Sequence, residues 1–420
     1  MSTIRRVFIK ALLGAASGAL VTGALAQEAV RIGALYPLSG QVAKSGEDTL
    51  NAIRLAADIV NGSFKDLALP LAATAGLPNL GGAKIEIVAA DHQGSPETGA
   101  AEAERLVVQR KVAALIGAFH SSVAATSSQV AERLGVPYIS GESEATNLTE
   151  RGFKMFFRTT PSSKTQARDF FTFIAQMNKG SAQPVRTIAV VHENTLWGQE
   201  FAKSVESYLP EYPDVKLVAN IAYQQGTPDV TSEVQKLIAA KPDVVLHASY
   251  DNEAILFART YKQFKFAPRG VMAIGAAFGS SAFRNALGAD ANYFLVREHW
   301  SRDLAPRAPV VAAVAKLYKD RYGKDMDGTP ARAFTAMMVL ADAINRAGST
   351  DPQKIRAALA ATNLSAKDLI MPWAGVKFDA NGQNTLTGAI FVQTLEGAPK
   401  LVWPADQAAA ALVWPRPAWR

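Results

Sequence analysis

Two serines and two glutamates carry the most chemistry that this sequence offers. Ser121 and Ser122 follow the short apolar run Ala113–Gly117, where a helical pattern begins. Serine at a helix start caps free backbone N–H groups. Those same groups, with the positive end of the helix dipole, can hold an anion. Further on, Gly141-Glu142-Ser143-Glu144-Ala145-Thr146 follows the strand pattern Tyr138–Ser140. Glutamates are commonly exposed. Beside an anion site, however, an acid is unfavourable unless a cationic group separates the two. Glu142 or Glu144 therefore reads as the partner of an ammonium or amide.

Other constellations fall short. Gly141-x-Ser143-x-Ala145 half-matches a nucleophile elbow but lacks the last glycine. The motif also needs a helix after the serine, where Thr146-Asn147-Leu148-Thr149 reads as turn. His92, His120, His192, His247 and His299 lack the short spacings of a metal site. His120 adjoins Ser121, yet neighbours on a strand-to-helix turn seldom face each other. Gly33 and Gly40 are not followed by the Lys-Ser/Thr of a phosphate loop.

An alternation of strand and helix patterns spaces these residues. Val30–Tyr36, Ile85–Ala90, Ala113–Gly117 and Pro137–Ile139 read as short apolar strands, with helices over Ala43–Val60, Glu97–Gln109 and Ser121–Leu134. After Arg158-Thr159-Thr160-Pro161 the pattern restarts with strands Thr187–His192, Val215–Ala222, Val244–Ala248 and Gly270–Ile274. Helices Lys164–Met177, Trp197–Leu209, Asp229–Ala239 and Glu253–Tyr261 alternate with them. Continuous apolar strands between amphipathic helices predict parallel sheets covered on both faces. Such sheets bind ligands beyond the carboxyl ends of their strands, where Ser121, Trp197 and Tyr250 all fall. Helices return at Val310–Tyr322, Ala331–Arg346 and Pro352–Ala360 before a β-rich stretch, Val376–Leu395. Ser63–Gly82 has no clear period and reads as an ordered surface excursion. The tail from Val402 to Trp419 reads as an extended strap.

At the start, Arg5, Arg6 and Lys10 flank an apolar stretch from Ala11 to Ala24, followed by the small-x-small Ala24-Leu25-Ala26. This predicts an export signal cleaved after Ala26, and Arg5-Arg6 fits a twin-arginine pattern. Those cations supply part of a net charge of +7, and the remainder is spread out, which gives no support for nucleic-acid binding. Cysteine is absent, so a disulfide scaffold is excluded. With 49% hydrophobic and 19% charged residues, the chain can bury the cores of two or three domains.

Four stretches carry a family resemblance. They are Ile32-Gly33-Ala34-Leu35-Tyr36-Pro37-Leu38-Ser39-Gly40, then Ala90-Asp91-His92-Gln93-Gly94, then Ala114-Leu115-Ile116-Gly117 before Ser121-Ser122, and Phe378-Asp379-Ala380-Asn381-Gly382-Gln383. In this order the chain resembles the type I periplasmic solute-binding proteins of the leucine/isoleucine/valine-binding branch. The resemblance implies an α/β fold of two doubly wound parallel-sheet lobes joined by three hinge strands. Hinge strands are expected near Phe157–Pro161, Leu295–Trp300 and Val376–Phe378. Lobe one would be 28–159 plus 298–375, and lobe two 160–297 plus 376–420.

The resemblance also implies roles. Ser121 matches the family's carboxylate-binding serine, and Glu144 stands where relatives carry a threonine. Trp197 and Tyr250 match aromatics that cover the ligand from lobe two. Ser122, Glu142, Ser143, Ser45 and Phe278 complete the candidate set. One departure is clear: Ala273-Ile274-Gly275-Ala276-Ala277-Phe278 lacks the glutamate that pairs with a ligand's α-ammonium in relatives. Glu144, Asp251 or Glu253 would replace it, or the ligand lacks an α-amino group. Arg332 reads as a solvated helix residue or a carboxylate contact. The function implied is the periplasmic substrate-binding component of an ABC transporter for a small polar solute, amino acid or amide-like. The protein would be a monomer that docks on a membrane permease, with no catalysis, cofactor, metal or nucleic acid. The alternatives are a periplasmic sensor for an amide or aromatic acid, and an exported hydrolase.

Overall fold

The computed structural model describes residues 28–275 and 277–419. The expected export signal and its cleavage after Ala26 lie outside the described residues. Strands β1 (Val30–Tyr36), β2 (Ile85–Asp91), β3 (Ala114–Gly117), β4 (Tyr138–Ser140) and β5 (Phe156–Arg158) form a five-stranded sheet in the order β2-β1-β3-β4-β5. Every pairing in it is parallel. Strands β6 (Thr187–Glu193), β7 (Lys216–Tyr223), β8 (Val244–Ala248), β9 (Gly270–Ile274) and β10 (Leu295–Glu298) repeat that winding in a second sheet. We call the lobes built on these sheets the first and the second.

Two departures from a pure parallel repeat occur near the C-terminus. After a small antiparallel pair, β11 (Asn363–Ser365) with β12 (Gly375–Lys377), the hairpin β13 (Ile390–Leu395) and β14 (Ala398–Trp403) adds antiparallel to β10. The expected β-rich stretch after Val376 thus supplies an antiparallel edge to the doubly wound second lobe. Close to the expected third crossing near Val376–Phe378, Arg158 donates to the Gly382 carbonyl (2.8 Å) and accepts from Asn384 N–H (2.9 Å), and Phe378 bridges Asn384. Those bonds hold the 382–384 segment along β5.

The helices connecting the strands are α1 (Ala43–Asn61), α2 (Pro96–Val108) and α3 (Ser121–Leu134) in the first lobe, and α4 (Ser163–Asn178), α5 (Leu196–Tyr208), α6 (Thr231–Ala240), α7 (Asp251–Gln263) and α8 (Ser281–Leu287) in the second. Helices α9 (Pro309–Tyr322), α10 (Gly328–Ala347) and α11 (Pro352–Ala360) then return to the first lobe, where α10 packs on α1. Helix α10 is buried almost all round from Pro330 to Leu340. A helix apolar on every face belongs inside a core. The 63–82 excursion is ordered: Leu69, Ala72 and Leu77 are buried, and Asn79 N–H donates to Asn345 on α10 (2.9 Å). The tail straps the second lobe, with the Trp419 indole donating to the Phe266 carbonyl and Trp403 to Gln176, each at 2.7 Å.

Candidate ligand-binding site

In each sheet the chain reverses direction of winding between the first and third strands, β1/β3 and β6/β8, and the crevice beyond their carboxyl ends is the natural binding place. The loops after these strands face one another across the lobes. Phe119, after β3, has a φ of 75°, a left-handed backbone that side chains rarely adopt. Its ring stacks on Tyr250, after β8, at 5.8 Å, and Tyr250 lies 4.9 Å from the Trp197 ring at the start of α5. The first turn of α5 can seat against β6 because residue 198 is glycine: a Cβ there would fall 2.1 Å from the Glu193 carbonyl oxygen. These three aromatics, with Ser121, Glu142, Glu144, Gly275 and Arg332, line a chamber of about 10 Å³. One water needs ~10–15 Å³, so the lobes are shut. On the other side of Phe119 an outer chamber of about 140 Å³ is lined by Ser45, Asp251 and Ser280 among others.

Charges meet in the inner chamber. Arg332, on α10, forms a very short ion pair with Glu144 Oε1. His299 lies 3.0 Å from the same oxygen, and the Trp197 indole donates to Glu144 Oε2 (3.0 Å). Burial opposes ionisation of Glu144, but Arg332 and His299 outweigh it and hold the carboxyl at about 2. Burial, then Arg332 and Arg297, push His299 down to about 3, so its ring is neutral. Arg297 donates to its Nδ1 (2.9 Å), so the ring proton sits on Nε2 and donates to Glu144. Glu142 differs. Tyr36 donates to its Oε2 (3.1 Å), while Oε1 has no partner among the described residues. Burial pushes this carboxyl up to about 7 against the pull of Arg332. Ser121 Oγ accepts the N–H groups of Glu144 and Ala145, both at 3.1 Å. Its lone pairs are thus engaged and its proton is left to donate.

The family model described as periplasmic binding protein matches residues 29–399. The chain belongs to the periplasmic binding protein family. This binding protein is 28% identical over 410 residues to the Leu/Ile/Val-binding protein homolog 7 of Brucella suis, covering 94% of this chain and 96% of that one. It is 26% identical over 422 residues to homolog 8 of Brucella abortus, covering 97% and 98%. Among solved structures it resembles the branched-chain amino acid substrate-binding protein LivJ of Streptococcus pneumoniae in complex with isoleucine. The TM-score is 0.75 at 20% identity, covering 92% of this chain and 100% of that one. A solute-binding protein of R. palustris in complex with benzoate gives a TM-score of 0.74 at 20% identity, covering 93% and 97%.

Of the residues expected at the site, this binding protein brings Ser121, Glu142, Glu144, Trp197 and Tyr250 together in the inner chamber. Ser121 is the first residue of α3, and His120 is the N-cap. Ser45 lines the outer chamber, where it donates to Asp251 across the lobes (2.8 Å). Ser122 is half-buried and outside both chambers. Ser143 is buried with its hydroxyl towards the Phe119 carbonyl, 3.5 Å away, and is not followed by an α-helix, which removes the elbow reading. Phe278 is a correction: it packs against His247, Phe283 and Phe294 inside the second lobe's core, at 5.0–5.5 Å. Arg332 is a second correction, being 2% exposed rather than solvated. Tyr36, Phe119 and His299 were missed. His299 lies within the expected hinge strand Leu295–Trp300, which could have pointed to it. Gly275 does line the chamber, and a Cβ there would press on the His299 ring at 3.2 Å.

Proposed function

We propose that this substrate-binding component of an ABC transporter captures a small solute with an anionic end and an N–H end, an amino acid or amide-like molecule with an apolar body. One observation carries the reading: the unpartnered Glu142 Oε1 and the free Ser121 proton line the same aromatic-walled chamber. A carboxylate fits the Ser121 hydroxyl and the start of α3, where the dipole is favourable. An ammonium or amide N–H fits Glu142, and Phe119, Trp197 and Tyr250 cover the apolar part. Glu144, in contrast, already has Arg332, His299 and Trp197 as partners. Because the shut chamber is smaller than an amino acid, solute uptake requires the lobes to part at the three crossings and to close again on the ligand. The protein works in the periplasm as a monomer after removal of residues 1–26, and hands its solute to a membrane permease.

A monocarboxylate is the second reading, favoured by Gly275, which supplies no acid, and by Glu142, which at about 7 can hold a proton and donate it. Calorimetry of wild type and Glu142→Gln against an amino acid and its deaminated analogue separates the two. An ammonium reader loses more than tenfold in affinity for the amino acid, about 1.4 kcal/mol, and keeps the analogue. Equal wild-type affinity for both molecules overturns the amino-acid reading.

A further inference from the structure

A cavity between the lobes that the cleft does not use lies behind the β10 crossing. It measures about 310 Å³, at the lower end of the ~300–1,000 Å³ of small-molecule sites. Val296 and Val392 of the second lobe and Met326 of the first give it apolar walls. Its polar lining includes Glu298, at the end of β10, and Asp327, the N-cap of α10, together with Ser301, Asp303, Asp325 and Thr394. Neither Glu298 nor Asp327 forms an ion pair among the described residues. Glu298 accepts the His299 N–H at 3.1 Å, and its carboxylate lies between two glycines. A Cβ on Gly279 would come within 2.0 Å of one oxygen, and a Cβ on Gly328 within 2.2 Å of the other. The backbone is therefore cut away on both sides to seat this acid. Burial, then Asp327, push Glu298 up to about 7, and burial pushes Asp327 up to about 6. Two carboxyls held in this way gain from a cation, which would restore their charged forms.

A second feature is independent of the acids. Trp300 lines the same cavity, is 3% exposed, and its indole N–H has no partner among the described residues. An indole offers its face to a cation and its N–H to an acceptor. Arg284, Arg302 and Lys400 also line the cavity: Arg284 donates to the Gly279 carbonyl while its charge pulls both acids down in part, and Arg302 pairs with Asp325 at 3.5 Å.

We propose that this hinge cavity is a second binding site, for a small organic cation with an amidinium or ammonium head group on an apolar body. The head group meets Glu298 and Asp327, and the body lies against Trp300 and the valines. Since both lobes line the cavity, the occupant braces the hinge. Glu298 is joined through the His299 backbone to the ring that holds Glu144, so hinge and cleft share a rigid connection. The site is independent of which solute the cleft takes.

Benzamidine is the probe and benzamide its uncharged counterpart of the same shape. Saturation-transfer NMR and titration should show benzamidine binding at least tenfold tighter than benzamide. Glu298→Gln should weaken benzamidine at least tenfold. Asp327→Asn, which keeps the helix cap, should weaken it at least threefold. On the wild-type chain, which needs no variant to fold, benzamidine should slow amide exchange in 296–302 and 325–328. Equal binding of benzamide, undiminished binding in Glu298→Gln, protection confined to 119–121 and 196–198, or no binding at all overturns the proposal.

Discussion

Arg332→Met tests whether the ion pair under the cleft acts as a unit. The substitution keeps side-chain length and removes the guanidinium from Glu144, in a place where both residues are almost fully buried. At an effective dielectric of ~20 and a contact of ~3 Å, the lost attraction is about 5 kcal/mol. Breaking a buried pair by removing one partner costs ~3–5 kcal/mol, because the survivor is left uncompensated. Glu144→Gln should cost a similar amount by stranding Arg332. The double variant removes both charges and leaves one amide oxygen, which can accept from Trp197 or from His299 but not from both, since the two donors meet different carboxylate oxygens. Its loss should fall short of the sum of the singles by at least ~2 kcal/mol. Urea titrations with a constant slope read these values as midpoints. The sign of the pH dependence adds a second check. Glu144 is held at about 2 against an ordinary 4.5, so its stabilising share is present above 4.5 and lost as the pH falls through about 2. The gap between wild type and Arg332→Met should therefore narrow over that range. Additive losses, within ~0.5 kcal/mol, or a gap that does not change with pH, would refute the reasoning.

Three further outcomes are expected. Trp197→Phe keeps the stack on Tyr250 but loses the indole bond to charged Glu144 across the lobes, worth ~1.5–3 kcal/mol; small-angle scattering should show a more open ligand-free protein, and an unchanged profile would show that this bond does not hold the lobes together. Glu193 is buried with neither oxygen partnered among the described residues, and burial, then Glu253, push it from 4.5 to about 8. Its stabilising share is therefore complete below 4.5 and lost as the pH rises through about 8, up to ~5 kcal/mol. The melting temperature of wild type should fall between pH 5 and pH 9 more than that of Glu193→Gln, and parallel curves would count against it. Phe278→Ala should cost ~3–5 kcal/mol of stability with solute affinity changed less than threefold; the reverse pattern would return Phe278 to the site.

The strand ends, the loops after them and the lobe repeat were legible because they rest on local periodicity. Apolar runs of strand length, broken by helices, require parallel sheets, and such sheets put Ser121, Trp197 and Tyr250 at their carboxyl ends whatever the lobes do. One signal was present and passed over. Arg332 lies in Ala331-Arg332-Ala333-Phe334-Thr335-Ala336-Met337-Met338-Val339-Leu340, a run apolar on every helical face. A helix like that is buried, so its arginine must find an acid. The antiparallel β13–β14 edge was not legible, since an edge hairpin and a parallel strand have similar apolar patterns.

Which side chain meets which was decided by tertiary structure alone. Glu144 and Arg332 are 188 positions apart, and Glu144 and Trp197, on opposite lobes, are 53 apart. No period links such pairs; they meet because α10 packs beneath the first sheet and the second lobe closes over it. The same packing gave Glu144 a cation from the protein itself and left Glu142 with a free oxygen, reversing the order in which the two acids stood as ligand partners. It also turned Phe278 inward, against His247 and Phe294 in the core of the second lobe. Sequence determined where a binding residue could stand. The docking of two lobes determined which of those residues remained free to bind, because a buried charge takes its partner from whatever surface closes on it.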